Sequence, residues 1–201
     1  PGFFWSWRNA SVNCLELQPF TTAAEGSFAM LRRLFLCLVL LPLLSACVLE
    51  SAEPLIADKD GVLALAGFGD TLIAYGKSEA GDWKKEEDGK LSLRVEDNHY
   101  KIWDGNNTML VTFVPLGEPW WGIQAKMGEE CYTYVLAEIN QGELILHENG
   151  CSEIEKVPGL GGTVDFSGGD CKAKPGADWR AMFDSLKSNP PPASMMLKPQ
   201  G

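Results

Sequence analysis

From Val62 to Asn149 the chain is a succession of short apolar runs, each closed by glycine, proline, asparagine or aspartate. Most of them alternate, apolar then polar, which is the period of a half-buried β-strand. Residues 62–68 and 71–75 flank Gly69-Asp70. Leu91, Leu93 and Val95 alternate with Ser92, Arg94 and Glu96, just after Asp88-Gly89. Residues 100–103 run into Asp104-Gly105, and 109–115, 120–127, 131–139 and 143–149 come after, with 163–166 as one more short segment. The pattern predicts a mainly β domain: an antiparallel meander of about eight short strands. Closure into a small barrel or sandwich, lipocalin-like, is the way such a sheet hides its edges. The period then changes. Trp179, Met182, Phe183 and Leu186 fall at i, i+3, i+4 and i+7, which predicts one C-terminal helix over 178–187 with Asp178 as its cap. The β-rich domain with this helix is expected over 61–188, and the tail 189–201, opening on Pro190-Pro191-Pro192, is expected to be disordered.

The front of the chain obeys other rules. Residues 1–29 precede the first methionine, Met30, and are expected to be an upstream, non-native extension. Arg32 and Arg33 then introduce a charge-free apolar run over 34–44. That run suits a signal peptide and falls short of the roughly 20 residues a membrane-spanning helix needs. Small residues at Ser45 and Ala46 let an extended backbone enter a protease cleft, and Cys47 supplies a nucleophilic sulfur. Leu44-Ser45-Ala46-Cys47 resembles the lipobox of bacterial lipoprotein precursors. The resemblance implies a signal peptide over 30–46, cleavage between Ala46 and Cys47, a diacylglycerol on the Cys47 thiol, and a fatty acyl group such as palmitate on the freed amino group. It implies localisation at the envelope, and Val48 resembles the residue after the lipidated cysteine in outer-membrane lipoproteins facing the periplasm. Residues 47–60 are then expected to be a lipidated tether.

Charge changes the list of partners. Three of the 17 lysines and arginines and two of the 27 acidic residues lie before Cys47, so the part beyond it carries −11. Such a surface repels phosphate backbones, so no nucleic-acid partner is expected and the lipid must supply membrane attachment. Of the three later cysteines, Cys131 and Cys151 lie symmetrically about Gln141, where a hairpin would set them across from one another. Cys151 and Cys171 would instead join the end of that hairpin to the segment before the helix. The second pairing is favoured, because the glycine-rich stretch 158–169 adjusts to disulfide geometry more easily than a fixed register does. The region 90–188 also resembles a loose group of uncharacterised proteobacterial lipoproteins, through Leu144, Leu146, Cys151, Cys171 and the Trp179 helix. Cys131 lies outside that pattern, which leaves it as the spare thiol, and the resemblance brings no known activity.

Candidate chemistry is sparse. His147 with Cys131, Cys151 and Cys171 makes a nominal zinc set, but it lacks a close Cys-x₂-Cys pair and a disulfide accounts better for two of the cysteines; no metal or other cofactor is expected. His99 has no partner in sequence. Gly159-Leu160-Gly161-Gly162 lacks the lysine and hydroxyl of a phosphate loop. Trp120-Trp121 is the most suggestive pair. On a strand the two point to opposite faces, so one is expected in the core and the other is a possible binding residue. No catalytic residue stands out. The leading expectation is a non-catalytic envelope module that contacts a protein or the cell wall. A lipocalin-like carrier of a small apolar ligand and a hydrolase without a readable motif are the alternatives.

Overall fold

The computed structural model describes residues 48–78, 80–127, 131–147, 150–167 and 170–201. The whole signal region, with Ala46 and Cys47, lies outside them. In chain order the elements are β1 (Leu49–Ser51), β2 (Thr71–Lys77), β3 (Trp83–Glu96), β4 (His99–Trp103), β5 (Thr108–Pro115), β6 (Trp120–Lys126), β7 (Tyr132–Asn140), β8 (Glu143–His147), α1 (Cys151–Ile154), β9 (Val164–Asp165), β10 (Cys171–Ala173), α2 (Trp179–Ser188) and β11 (Met195–Pro199).

Alternation becomes architecture in a direct way. Leu72 and Ala74, Leu91 and Leu93, Val111 and Phe113, and Leu144 and Leu146 sit two apart on their strands and turn inward into one buried cluster. Eight strands, β2 through β8 and then β11, neighbour one another antiparallel, and pairing of β6 with β7 closes them into a barrel. The turn between β7 and β8 is the two-residue loop Gln141-Gly142, with φ of 51° and 79°. Positive φ at both positions gives the twist that antiparallel strands need.

A second core lies outside the barrel. On β6 and β7 the alternation vanishes, with Gly122 to Ala125 and Thr133 to Ala137 all buried. Both faces of these strands are covered. Helix α2 lays Met182, Phe183 and Leu186 beside Val114, Tyr134 and Leu136 on the outer surface, and Leu49, Ile56, Leu160 and Val164 complete the cluster. Asp178 caps the helix by accepting hydrogen bonds from the Arg180 and Ala181 N–H groups at 2.9 and 3.4 Å. The Cys151–Cys171 disulfide joins α1 to β10 across 5.4 Å between α-carbons. The alternative Cys131–Cys151 pairing fails because β8 ends at His147 and the chain has turned into α1 by Cys151. Cys131 is buried immediately before β7.

Four expectations are corrected. The tail thought disordered supplies β11, which pairs with both β2 and β8, and its Met195, Met196 and Leu197 are buried. The prolines stop short of this strand, so they end a loop and leave the strand intact. Residues 62–68 form no strand beyond a bridge between Val62 and Phe113; they turn so that Leu65 and Phe68 enter the barrel cluster. Asp88-Gly89 is no turn either. It belongs to a bulge inside β3, where the pairing steps from Ile73–Lys90 to Tyr75–Lys85, and Gly89 leaves room for the Ala74 carbonyl 2.9 Å from where a β-carbon would stand.

The fourth correction concerns the tether. Residues 48–60 lie on the barrel: β1 pairs with β7 and β10, and Leu49 and Ile56 are fully buried. Gln124 makes this possible. Its Oε1 accepts from the Ile56 N–H at 2.9 Å and its Nε2 donates to the Ile56 carbonyl at 3.1 Å, so a side-chain amide satisfies a buried stretch of backbone as a strand would. Tyr134 Oη accepts from the Leu55 N–H at 3.1 Å and lies 2.7 Å from Ser51 Oγ. Gln124→Ala strands both groups of Ile56 and is expected to cost about 1–3 kcal/mol. Native-state hydrogen exchange at the Ile56 amide reports it; unchanged protection there would refute the clamp.

Candidate functional site

The two ends of the barrel differ. At the end marked by the β3–β4, β5–β6 and β7–β8 turns, Leu65 and Phe68 enter the interior, and Trp121 and Ile139 pack against the same cluster. Tyr100 seals this end: its Oη accepts from the Leu65 N–H at 2.9 Å, and its ring meets Phe113 edge-on at 5.6 Å. Burial raises the Tyr100 hydroxyl above its ordinary pKa, so it stays a neutral donor and acceptor. The opposite end has no such plug among the described residues. There the interior holds a cavity with about 60 Å³ of room for water-sized centres, lined by Ile102, Met109, Val111, Ile123, Met127 and Leu146 among others, with Met195 and Leu197 from β11.

Chemistry inside the cavity is nearly uniform. Asp104 and Asn107, in the β4–β5 turn, are its polar residues; every other lining side chain is apolar. Asp104 is also committed to its own turn, where Oδ1 accepts from the Asn106 and Asn107 N–H groups at 2.8 and 2.7 Å. Asp104 is the one ionisable group among the described lining residues, so no pair for acid–base chemistry faces the cavity. A water needs roughly 10–15 Å³ measured this way, so the space matches about four waters or a slender apolar group. An apolar wall offers water no partners, so the apolar group is the better occupant. The thioethers of Met109, Met127 and Met195 give the wall some freedom to adapt.

The tryptophans divide as strand geometry requires. Trp121 faces inward against the barrel cluster, near the plugged end. Trp120 faces outward against the second core, its ring 5.2 Å from that of His147. Neither lines the cavity. His147 is held by structure: its Nδ1 lies 2.7 Å from the Pro191 carbonyl oxygen and its Nε2 3.0 Å from Glu138 Oε1. His99 Nδ1 lies 2.8 Å from Thr112 Oγ1 on the outer surface. No group of three or more metal-ligating side chains occurs among the described residues. Residues 159–162 pack Leu160 into the second core.

No protein-family model, no curated protein and no solved structure matches the chain. The cavity itself therefore carries the case for function. Sequence patterning places Val111, Phe113, Leu144 and Leu146 on inward faces, but Met195 and Leu197 escape it, because they lie beyond three prolines on a five-residue strand. Met127 lies one residue past the end of β6 but within the predicted segment 120–127, in phase with the inward Ile123 and Ala125.

Beside this site, Glu50 is the one carboxylate among the described residues raised by burial; Asp170 adds to the shift and Lys172 opposes it. A raised carboxyl pKa means that the fold favours the protonated form. The cost is absent below the unfolded value near 4.5, grows as pH climbs through the folded pKa, and is complete above it. Glu50→Gln is therefore expected to gain thermal stability over the parent at pH 7 and to lose that advantage near pH 4. Calorimetry at the two values checks the sign; a larger advantage at the lower pH would refute it.

Proposed function

We propose that this protein is an envelope lipoprotein, anchored by lipid on Cys47, whose barrel carries a slender apolar ligand in its open end. The observation that carries the reading is the contrast between the two ends: one filled by Leu65 and Phe68, the other left as an apolar cavity walled by methionines and branched aliphatic residues. A fold with no ligand to hold has no evident use for that space, since an empty apolar cavity weakens a core by roughly 24 cal/mol per Å³. The anchor rests on Leu44-Ser45-Ala46-Cys47 and the charged and apolar segments before it. Val48 favours the outer membrane as the site of attachment, with the barrel in the periplasm. The carrier reading is preferred over a protein-contacting module, because Trp121 faces the interior and Trp120 packs against His147.

The test uses a lipid-free Cys47→Ser chain and a fluorescent apolar probe, N-phenyl-1-naphthylamine. The parent chain is expected to bind it at one site. Val111→Phe places a ring where the cavity lies and should weaken binding at least tenfold while the protein melts as a folded domain. Equal binding by the two folded proteins would sink the carrier reading. Fractionation supplies the address: Cys47→Ser should leave the membrane pellet, and its retention there would sink the anchor.

A further inference from the structure

We propose that the cavity is filled from the membrane side and that its ligand is the acyl chain of a lipid. This rests on the anchored-carrier reading and adds to it the ligand's class and its route. The supporting observation is a juxtaposition. Val48, the neighbour of Cys47 in sequence, is buried against Met127, and Met127 is part of the cavity wall. Successive α-carbons lie about 3.8 Å apart, so a lipid on Cys47 begins one residue from the side chain that packs against the cavity wall.

The residues beyond Val48 keep that distance short. Leu49 is buried in β1, Glu50 and Ser51 pair with Thr133 and Tyr132, and Gln124 and Tyr134 hold the chain as far as Ile56. A free linker of a dozen residues would let the barrel wander by roughly 20 Å from its anchor. Fixed to the barrel, the same residues hold Val48 beside the wall. A chain leaving a bilayer for this cavity exchanges one apolar surrounding for another, and tethering raises its local concentration to the order of millimolar. With one chain in the barrel, the remaining chains of the anchor stay in the bilayer, and two are enough for a stable hold. A cavity with room for about four waters takes about four methylenes, the tip of an alkyl chain, and its three methionines can adapt to that unbranched end.

The chain can come from the anchor on Cys47 itself or from a neighbouring phospholipid; the chemistry is shared, and the experiment separates the two. p-Benzoylphenylalanine is placed at Met195, in the cavity wall, and in a control protein at Gln141, in the turn at the plugged end. Both full-length proteins are illuminated in the cell envelope, digested and weighed. A cross-link from position 195 to the protein's own N-terminal lipopeptide assigns the anchor chain, and a cross-link to phospholipid assigns a neighbour. Position 141 should give neither. A second measurement needs no replacement in the wall. The Cys47→Ser protein is incubated with vesicles of phosphatidylethanolamine and phosphatidylglycerol, re-isolated and extracted, and should yield about one lipid per protein, with at least tenfold less from Val111→Phe. Finding no acyl chain by either measurement, or equal labelling at positions 195 and 141, overturns the proposal. Naphthylamine binding that Val111→Phe abolishes, with no lipid found, would overturn the acyl ligand and leave the carrier standing.

Discussion

Ending the chain after Ser194 is expected to abolish the barrel. Strand β11 pairs with five residues of β2, from Leu72 to Gly76, and with three of β8, from Leu144 to Leu146. Its removal leaves both strands with an open edge and uncovers the interior. Met195, Met196 and Leu197 are 5%, 4% and 3% exposed, and each such side chain contributes about 1.5–3 kcal/mol by burial. Together they approach the whole margin of a typical domain, about 5–15 kcal/mol. Near-ultraviolet circular dichroism and the urea transition should both be lost. A truncated chain that melts as sharply as the full one would show that β11 is ornamental. The milder Leu197→Ala should cost about 2–5 kcal/mol.

Phe183→Ala is expected to cost about 3–5 kcal/mol, the range for a large aromatic side chain removed from a closed core. The ring is 0% exposed and lies over Gly122. A β-carbon on Gly122 would stand 2.8 Å from Phe183 Cε2 and 2.9 Å from Val114 Cγ2, closer than carbon atoms approach. The glycine thus sets the separation between helix and barrel. Gly122→Ala should cost about 1–3 kcal/mol in the parent and much less once Phe183 is alanine, because most of the clash has been removed. Urea unfolding of the two single variants and the double variant measures the coupling. Simple additivity would mean that the contact does not hold the helix.

The strands of the barrel are legible in sequence where one face meets water. Leu91 and Leu93, Tyr100 and Ile102, and Met109, Val111 and Phe113 each mark an inward face. The helix is legible for the same reason, one stripe buried and one wet. Three things are not. β11 is short, comes after a proline run and is buried over Met195–Leu197, so it has no period to detect. The β3 bulge places Asp88-Gly89 mid-strand, and a bulge and a turn share the same residues in sequence. The segment before Ile56 looks like a polar linker because its partners are a glutamine amide and a tyrosine hydroxyl more than 65 positions away. Met195 and Leu197 wall the cavity from a segment that local pattern does not reach, so the cavity itself is invisible in sequence. The choice between the two disulfides is legible in part: the flexibility of 158–169 favours Cys151 and Cys171, and the departure of the chain after His147 explains why.

The order in which a chain is delivered gives β11 one further meaning. In an exported lipoprotein, as proposed, the polypeptide crosses the membrane from its front end, so seven barrel strands arrive while Met195–Pro199 is still in transit. During that interval β2 and β8 face each other unjoined, and their union requires contacts between residues some 123 positions apart, such as Leu197 and Ala74. Long-range closure of this kind is slow, and open edges invite the wrong neighbour. On that reading the nascent sheet would need protection of its open edges until its final strand emerges.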